Sequence, residues 1–305
     1  MIKVFGHLAP DTDATGSALI WEWFLNEVKG KPAKAYVLGE PNTEAAFVLK
    51  RWGFETPEIL SDVAAGDEVV VVDTNNPAEP PPSINDANIV EIIDHHMLAG
   101  GLKTSGPIMI TIRPVASTAT VMYGRMKDKA DQMPAGIKGL MLSCILSDTL
   151  EFRSPTTTER DRFIADLLAT DLGIDMAAYA AEMFEAKSDI SAFSDAELLR
   201  MDSKKYEIGD TSFRVSVLET TSPATVMARK DSLMATMETV AVEDGVDQVL
   251  LFVVDILSEG ATLLVPNDLV KTLAEKSFGA EVTGDTVLLP GVVSRKKQII
   301  PNLNL

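Results

Sequence analysis

The sequence predicts an α/β protein of two domains: an N-terminal parallel-sheet domain with helices on both faces, then a smaller C-terminal α/β domain with a mixed sheet, and an active site in the cleft between them. Three observations lead there. Strand-sized apolar runs alternate with helical patterns through the first half of the chain, the pattern of a parallel sheet. The 305 residues exceed what one small core requires. A polar stretch with three serines, Lys187–Asp195, interrupts the pattern. The expected divisions are residues 1–187, a linker and hinge at 188–194, and residues 195–305.

Taken in order, Ile2–Gly6 is a short apolar strand that ends in the polar loop His7–Asp13, with a helix following from Ala14 to about Val28. Ala35–Leu38 reads as a strand, Glu44–Arg51 as a helix and Glu68–Asp73 as a buried strand of nearly continuous valine. Asn75–Pro82 is a Pro- and Asn-rich loop, and Asn88–Asp94 is the next strand. Helices are expected at Thr118–Lys127, Gly136–Ser147, Thr158–Leu168 and Met176–Ala186. Beyond the break, Phe213–Leu218 alternates like a strand. Ser222-Pro223 then opens a helix to about Val242, by N-cap and first-turn proline. Strands at Asp247–Ile256 and Ala261–Val265, a helix at Asn267–Lys276 and strands at Val282–Leu289 and Gly291–Ser294 complete the expectation.

Composition narrows the function classes. Hydrophobic residues make up 46% and charged residues 24%, a globular balance. The longest apolar runs are strand-sized, far short of a membrane span, and the start lacks a secretory h-region. The single cysteine, Cys144, excludes an internal disulfide. Together these point to the cytoplasm. A formal charge of −18 argues against a broad nucleic-acid face, which needs clustered Lys and Arg. A small anion is still admissible where metal ions invert the local field.

The three histidines carry the main chemical signal. His7, His95 and His96 each follow an apolar strand within an aspartate-rich turn. In a parallel sheet, loops at the carboxyl ends of strands converge on one crevice. His7, Asp11 and Asp13 can therefore meet Asp73 and the Asp94-His95-His96 turn, and Asp148 can enter from the end of a helix. So many carboxylates would repel one another unless cations lay between them. Mixed imidazole and carboxylate donors suit Mn or Co, with Zn possible. Singly, each residue has a plainer role: Asp11 and Asp13 as helix caps, Asp148 as a turn residue, a histidine as a hydrogen-bonded strand end. Confinement of every histidine to two such turns favours the cluster.

Gly6-His7-Leu8-Ala9-Pro10-Asp11-Thr12-Asp13-Ala14, Asp94-His95-His96, Ser147-Asp148-Thr149 and Ser294-Arg295-Lys296-Lys297-Gln298 occur in the order and spacing of the manganese-dependent (family II) inorganic pyrophosphatases. That family belongs to the DHH phosphoesterases, and the resemblance runs from Ile2 to Pro301. It implies one metal held by His7 and Asp11 and a second by Asp13 and His95, with Asp73 and Asp148 shared. It implies Mn2+ or Co2+, two per subunit, with a further Mg2+ arriving with pyrophosphate. His96 would face the substrate and stabilise the leaving phosphate, making His96 and Asp13 the candidate catalytic residues. Arg295, Lys296 and Lys204 would bind phosphate oxygens, Lys205 being the neighbouring alternative. A homodimer through the first domain is also implied. The chain departs from many relatives at Asp73-Thr74-Asn75, where the middle position is often histidine. That position is not a direct ligand, so the departure bears on metal preference and activation.

The residues agree with the resemblance. Two metals about 3.5–4 Å apart can bridge a water, lower its pKa and present hydroxide to phosphorus. Pyrophosphate hydrolysis then depends mostly on positioning and charge stabilisation. Two rivals stay open here. Another DHH-type phosphoesterase could act on short polyphosphate, a cyclic dinucleotide or single-stranded nucleic acid, although few aromatics are available for base stacking. A non-catalytic metal or phosphate sensor would have less need of the whole set of donors.

Overall fold

The computed structural model describes residues 1–305, which divide into two compact units, Met1–Ala186 and Lys187–Leu305. The first unit runs β1 (Ile2–Phe5), α1 (Thr12–Trp23), β2 (Ala33–Ala35), α2 (Thr43–Trp52), β3 (Glu68–Val72), β4 (Asn88–Asp94), β5 (Met109–Ile112), α3 (Thr118–Met126), α4 (Ala135–Thr149), α5 (Glu159–Leu172) and α6 (Met176–Lys187). Its five strands are all parallel, in the order β2-β1-β3-β4-β5.

Helices α1 and α3 lie by the sheet, and α4 packs against both. Helix α1 is apolar nearly all round because it is covered by sheet and helices, so Ala14, Ala18, Ile20 and Trp21 are all buried. On the other face Phe5, Val69, Val71, Ile89 and Ile92 are closed by Leu38, Val63, Ile84 and Leu102. Those covering residues come from loops and a 3-10 turn, where the sequence reading expects a second helical layer. The links from β3 to β4 and from β4 to β5 carry no α-helix that could supply one.

The second unit runs α7 (Asp195–Leu198), β6 (Ser203–Ile208), β7 (Thr211–Thr220), α8 (Pro223–Met227), α9 (Lys230–Asp244), β8 (Gln248–Asp255), β9 (Gly260–Leu264), α10 (Asp268–Phe278) and β10 (Thr286–Pro290). The sheet is mixed, ordered β10-β9-β8-β7-β6, with only β7 and β8 parallel. Strand β8 is buried on both faces, as its unbroken apolar run requires. One core gathers Phe213, Phe252, Leu273 and Ile299, and the other Leu218, Leu233, Val249 and Leu251. Within the expected linker, Ser188 hydrogen-bonds Thr220 and Thr221, and Ile190 packs against the second of these cores.

Several element expectations need correction. Strand β5 goes unpredicted because Met109–Ile112 is only four residues, set between Gly-Pro and Arg-Pro sequences. The helix expected from Pro223 to Val242 is two helices, interrupted at Ala228–Arg229. No breaker residue stands there. Arg229 is drawn out by Asp195 and by the carbonyls of Ile190 and Phe193. The strand expected at Val282–Leu289 begins at Thr286, Gly291–Ser294 forms no strand, and the basic run 295–299 forms one π-helical turn. No helix is long and apolar enough to cross a membrane.

Candidate metal centre

The centre lies at the carboxyl ends of β1, β3 and β4. Gly6 permits the first turn, since a Cβ there would stand 2.7 Å from the Ala14 Cβ and 3.3 Å from the Val72 carbonyl oxygen. That close approach lets His7 leave β1 directly over α1. Asp11 caps α1, accepting from Ala14 N at 2.9 Å, while also lying 3.7 Å from His7 Nε2. The cap and the candidate ligand are therefore the same residue. Asp73 leaves β3 at φ +57°, the left-handed region that non-glycine residues rarely enter, and it marks strain held at a functional position.

Asp73 joins the two halves of the site. Its Oδ2 is 3.4 Å from His7 Nε2 and its Oδ1 is 3.4 Å from His95 Nε2. Asp13 Oδ2 and Asp148 Oδ2 are each 4.0 Å from His95 Nε2. Two sets of three donors result, His7/Asp11/Asp73 and Asp13/His95/Asp148, and within each set the ligand atoms lie within 4.8 Å of one another. No lysine or arginine forms an ion pair with these carboxylates; their counter-charges are the histidines. Such donors fit a pair of divalent transition metals.

The electrostatics carry the same message. Burial pushes the Asp13 carboxyl up to about 6, assisted by the charge of Asp73. Burial likewise drives Asp148 well above the carboxylate range, with Asp13 and Asp73 adding repulsion. Burial disfavours protonation of His7, but donation to the Asp11 and Asp73 carboxylates overcomes it and pushes the ring up to about 10. Burial is similarly outweighed at His95, which Asp73 and Asp13 raise to about 9. Burial also opposes ionisation of Asp73, yet His7 and His95 hold its carboxyl below the usual range. The raised values mark a place that favours positive charge, which bound cations would supply.

A surrounding set of hydrogen bonds aims these groups. His95 Nδ1 donates to the carbonyl of Val115 at 3.1 Å, which leaves Nε2 as the ligand nitrogen. Thr118 N and Ser117 Oγ donate to Asp13 at 2.6 and 2.9 Å, and Thr118 Oγ1 donates to Asp73 at 2.9 Å. Sequence reading missed this segment. Its one visible signal is the serine that caps α3, and the strand placing it was itself missed.

His96 is more exposed than the other two histidines. It lies within ligand distance of Asp73 and His95, but its Nδ1 is committed to Asp94 Oδ1 at 2.9 Å. That bond raises the His96 pKa against the effect of burial. Asp94 also accepts from the His95 and His96 amides and from Asn75, which fixes the turn. Thr74 hydrogen-bonds Glu79 and is buried.

In the second unit, the Ser294 side chain accepts from Lys297 N, and Gln298 Oε1 accepts from Val293 N and Ser294 N, shaping the turn that carries Arg295 and Lys296. Arg295 Nη1 is tied to Asp202 O at 2.7 Å and Asp202 Oδ1 at 2.8 Å, leaving its Nε and Nη2 edge. On β6, Lys205 donates to the carbonyl of Asp244 at the end of α9. Alternation along the strand puts Lys204 on the opposite face, with Tyr206 and opposite Val215. Tyr206 packs in the same core as Val292, Val293 and Ile299, so Lys204 shares its face with the segment leading to Arg295.

The fold and this donor set define a DHH-type protein: residues 1–147 match the DHH family, N-terminal domain, and residues 181–304 match the DHHA2 domain. A chain of Deinococcus radiodurans named "Probable manganese-dependent inorganic pyrophosphatase" is 42% identical over 308 residues, covering 99% of this chain and 98% of the relative. One of the same name from Lactobacillus acidophilus is 35% identical over 302 residues, covering 98% and 96%. The "Crystal structure of Methanococcus jannaschii putative family II inorganic pyrophosphatase" superposes with a TM-score of 0.62 at 33% identity, covering 99% of this chain and 98% of that one. The chain belongs to the manganese-dependent, family II inorganic pyrophosphatases.

Proposed function

We propose that this protein hydrolyses inorganic pyrophosphate to two orthophosphates at a dinuclear manganese or cobalt centre. The observation that carries the reading is the Asp73 carboxylate, set between His7 and His95, with Asp11 beside the first and Asp13 and Asp148 beside the second. One ion is assigned to His7 and Asp11, the other to Asp13 and His95, with Asp73 and Asp148 shared. When bound, the pair supplies Lewis acidity toward phosphate oxygens and an activated water.

The remaining work falls to the chain. Hydrolysis forms a bond from the water oxygen to one phosphorus, and the bridging oxygen leaves with the other phosphate and takes a proton. His96, kept basic by Asp94 and half exposed, is placed to donate to that departing oxygen. Arg295 grips phosphate oxygens with the edge that Asp202 leaves open, and Lys204 and Lys296 add point charges. A Mg2+ ion accompanies the substrate. Cys144, buried and unpaired, is consistent with a cytoplasmic location.

The proposal extends to a homodimer through the first unit. Its support is the edge strand β5, whose Met109 and Ile110 are about half exposed beside an unpaired backbone. Ile110→Lys should yield monomers in light scattering. The functional test is phosphate release from pyrophosphate, tripolyphosphate and a nucleotide ester after chelation and addition of Mn, Co, Zn or Mg. Fastest turnover of pyrophosphate with Mn or Co is expected. Faster turnover of either other substrate would overturn the assignment.

A further inference from the structure

The first unit holds a cluster of arginines outside the metal centre. Beside β5 and α3 is a cavity of about 310 Å³ lined by Arg113, Val115, Thr120, Gly124, Arg125 and Arg160, among others. We propose that it binds a phosphate-type oxyanion, either orthophosphate or the phosphate group of a phosphomonoester. The inference does not depend on which substrate the metal centre hydrolyses.

Three guanidinium groups meet here in a chain of net charge −18. The carboxylates around them are already committed. Glu91 Oε1 takes Arg125 Nη2 at 2.5 Å, and Glu91 Oε2 takes Trp21 Nε1 at 3.0 Å. Asp161, fully buried, accepts from Ala116 N, Thr120 Oγ1 and both donors of Thr158. Arg125 Nε is buried without a partner, a donor whose burial costs free energy until an acceptor arrives. Arg113 donates only to the carbonyl of Ile112. Neither Arg113 nor Arg160 makes one of the molecule's ion pairs. Guanidinium forks match the tetrahedral oxygens of a phosphate, and two of the three carry uncompensated charge.

Arg160 lies across α3 at Gly124, where a Cβ would meet its Nη2 at 2.7 Å. Glycine inside a helix is unfavourable relative to alanine. Here it leaves the room that the Arg160 guanidinium occupies. The cavity also shares a wall with the metal centre: Val115 lines it and accepts the His95 Nδ1 proton, and Ser117 and Thr118 follow directly. An anion drawing on Arg113 therefore acts on the segment that aims His95, Asp13 and Asp73.

The test is equilibrium dialysis of the Mn-loaded protein with radiolabelled orthophosphate and, separately, with AMP, under saturating imidodiphosphate to fill the metal centre. The wild-type protein should retain about one bound equivalent. Arg160→Gln should weaken it at least tenfold. Gly124→Ala should weaken it comparably, although it removes no charge and favours the helix, with thermal melting confirming the fold. Binding of AMP alone would identify a phosphomonoester as the source and uphold the site. No retained equivalent of either anion at millimolar concentration, or wild-type retention in both variants, overturns the proposal.

Discussion

His95 donates its Nδ1 proton to the carbonyl oxygen of Val115 across 3.1 Å, and that bond decides which ring nitrogen turns toward Asp73. The carbonyl belongs to a segment that itself offers no metal donor. It follows β5 and precedes α3, and within four residues it supports His95, Asp13 and Asp73. A centre with strongly repelling carboxylates depends on such neutral supports, because they orient the charges without adding to them.

Thr118→Val keeps the shape of the side chain and removes the donor to Asp73 Oδ1. Manganese affinity should fall about ten- to a hundredfold, the usual cost of losing an outer hydrogen bond at a metal ligand. Titration calorimetry reads this directly. Affinity within twofold of the wild type would show that the Thr118 bond is incidental.

Asp73→Asn tests the shared carboxylate. Asparagine tolerates the left-handed backbone at this position, so the turn should survive while the charge is lost. Turnover should drop by about a thousandfold or more, equivalent to about 4 kcal/mol of transition-state stabilisation. Metal content measured on the same preparation should fall to one ion or none per chain. Two tightly held ions with near-normal turnover would remove Asp73 from the centre.

The chelated protein should lose stability as pH rises from about 6.5 to 10. His7 and His95 have folded pKa values pushed up to about 10 and about 9, above their unfolded value of 6.5. Their contribution is therefore complete below 6.5 and lost as pH rises through those values. Asp13, raised from 3.8 to about 6, loses its share between those values and so below this window, while Asp148, raised well above 3.8, destabilises in the same direction as pH rises through its folded value. Asp73 is ionised in both states across this window and contributes no slope. Added Mn2+ should stabilise more at each higher pH, because it competes with protons for the imidazoles. Melting temperatures with and without metal, in the wild type and in His7→Gln, decide the matter: a flat profile for the chelated wild type contradicts the account.

Lys204→Ala and Lys205→Ala should differ. Lys204 shares a strand face with the segment that leads to Arg295, so its loss should raise KM for pyrophosphate about tenfold or more. Lys205 serves the end of α9, so its loss should leave kinetics near wild type and cost at most about 1 kcal/mol of stability. The reverse pattern would transfer the substrate role to Lys205.

Gly6→Ala should disturb the centre through packing alone. The added methyl would need to move α1 or β3, at about 1–3 kcal/mol. His7 would be displaced with the turn, so metal affinity and melting temperature should fall together. Unchanged values for both would mean that the first turn is more yielding than the 2.7 Å approach implies.

Sequence alone determined the alternation of strands and helices in the first half, and it picked out the candidate donors that the fold brings together. Strand ends in a parallel sheet open on one side, and the aspartates there stand out because all three of the chain's histidines gather beside them. Tertiary structure decided the rest. It split the helix after Pro223 by drawing out Arg229, and it made a strand of Met109–Ile112 by pairing it with β4. It also assigned Val115, Ser117 and Thr118 to the metal centre. Such roles come from backbone carbonyls, amides and small hydroxyls, whose chemistry is the same everywhere along a chain and which become specific only through what the fold sets opposite them.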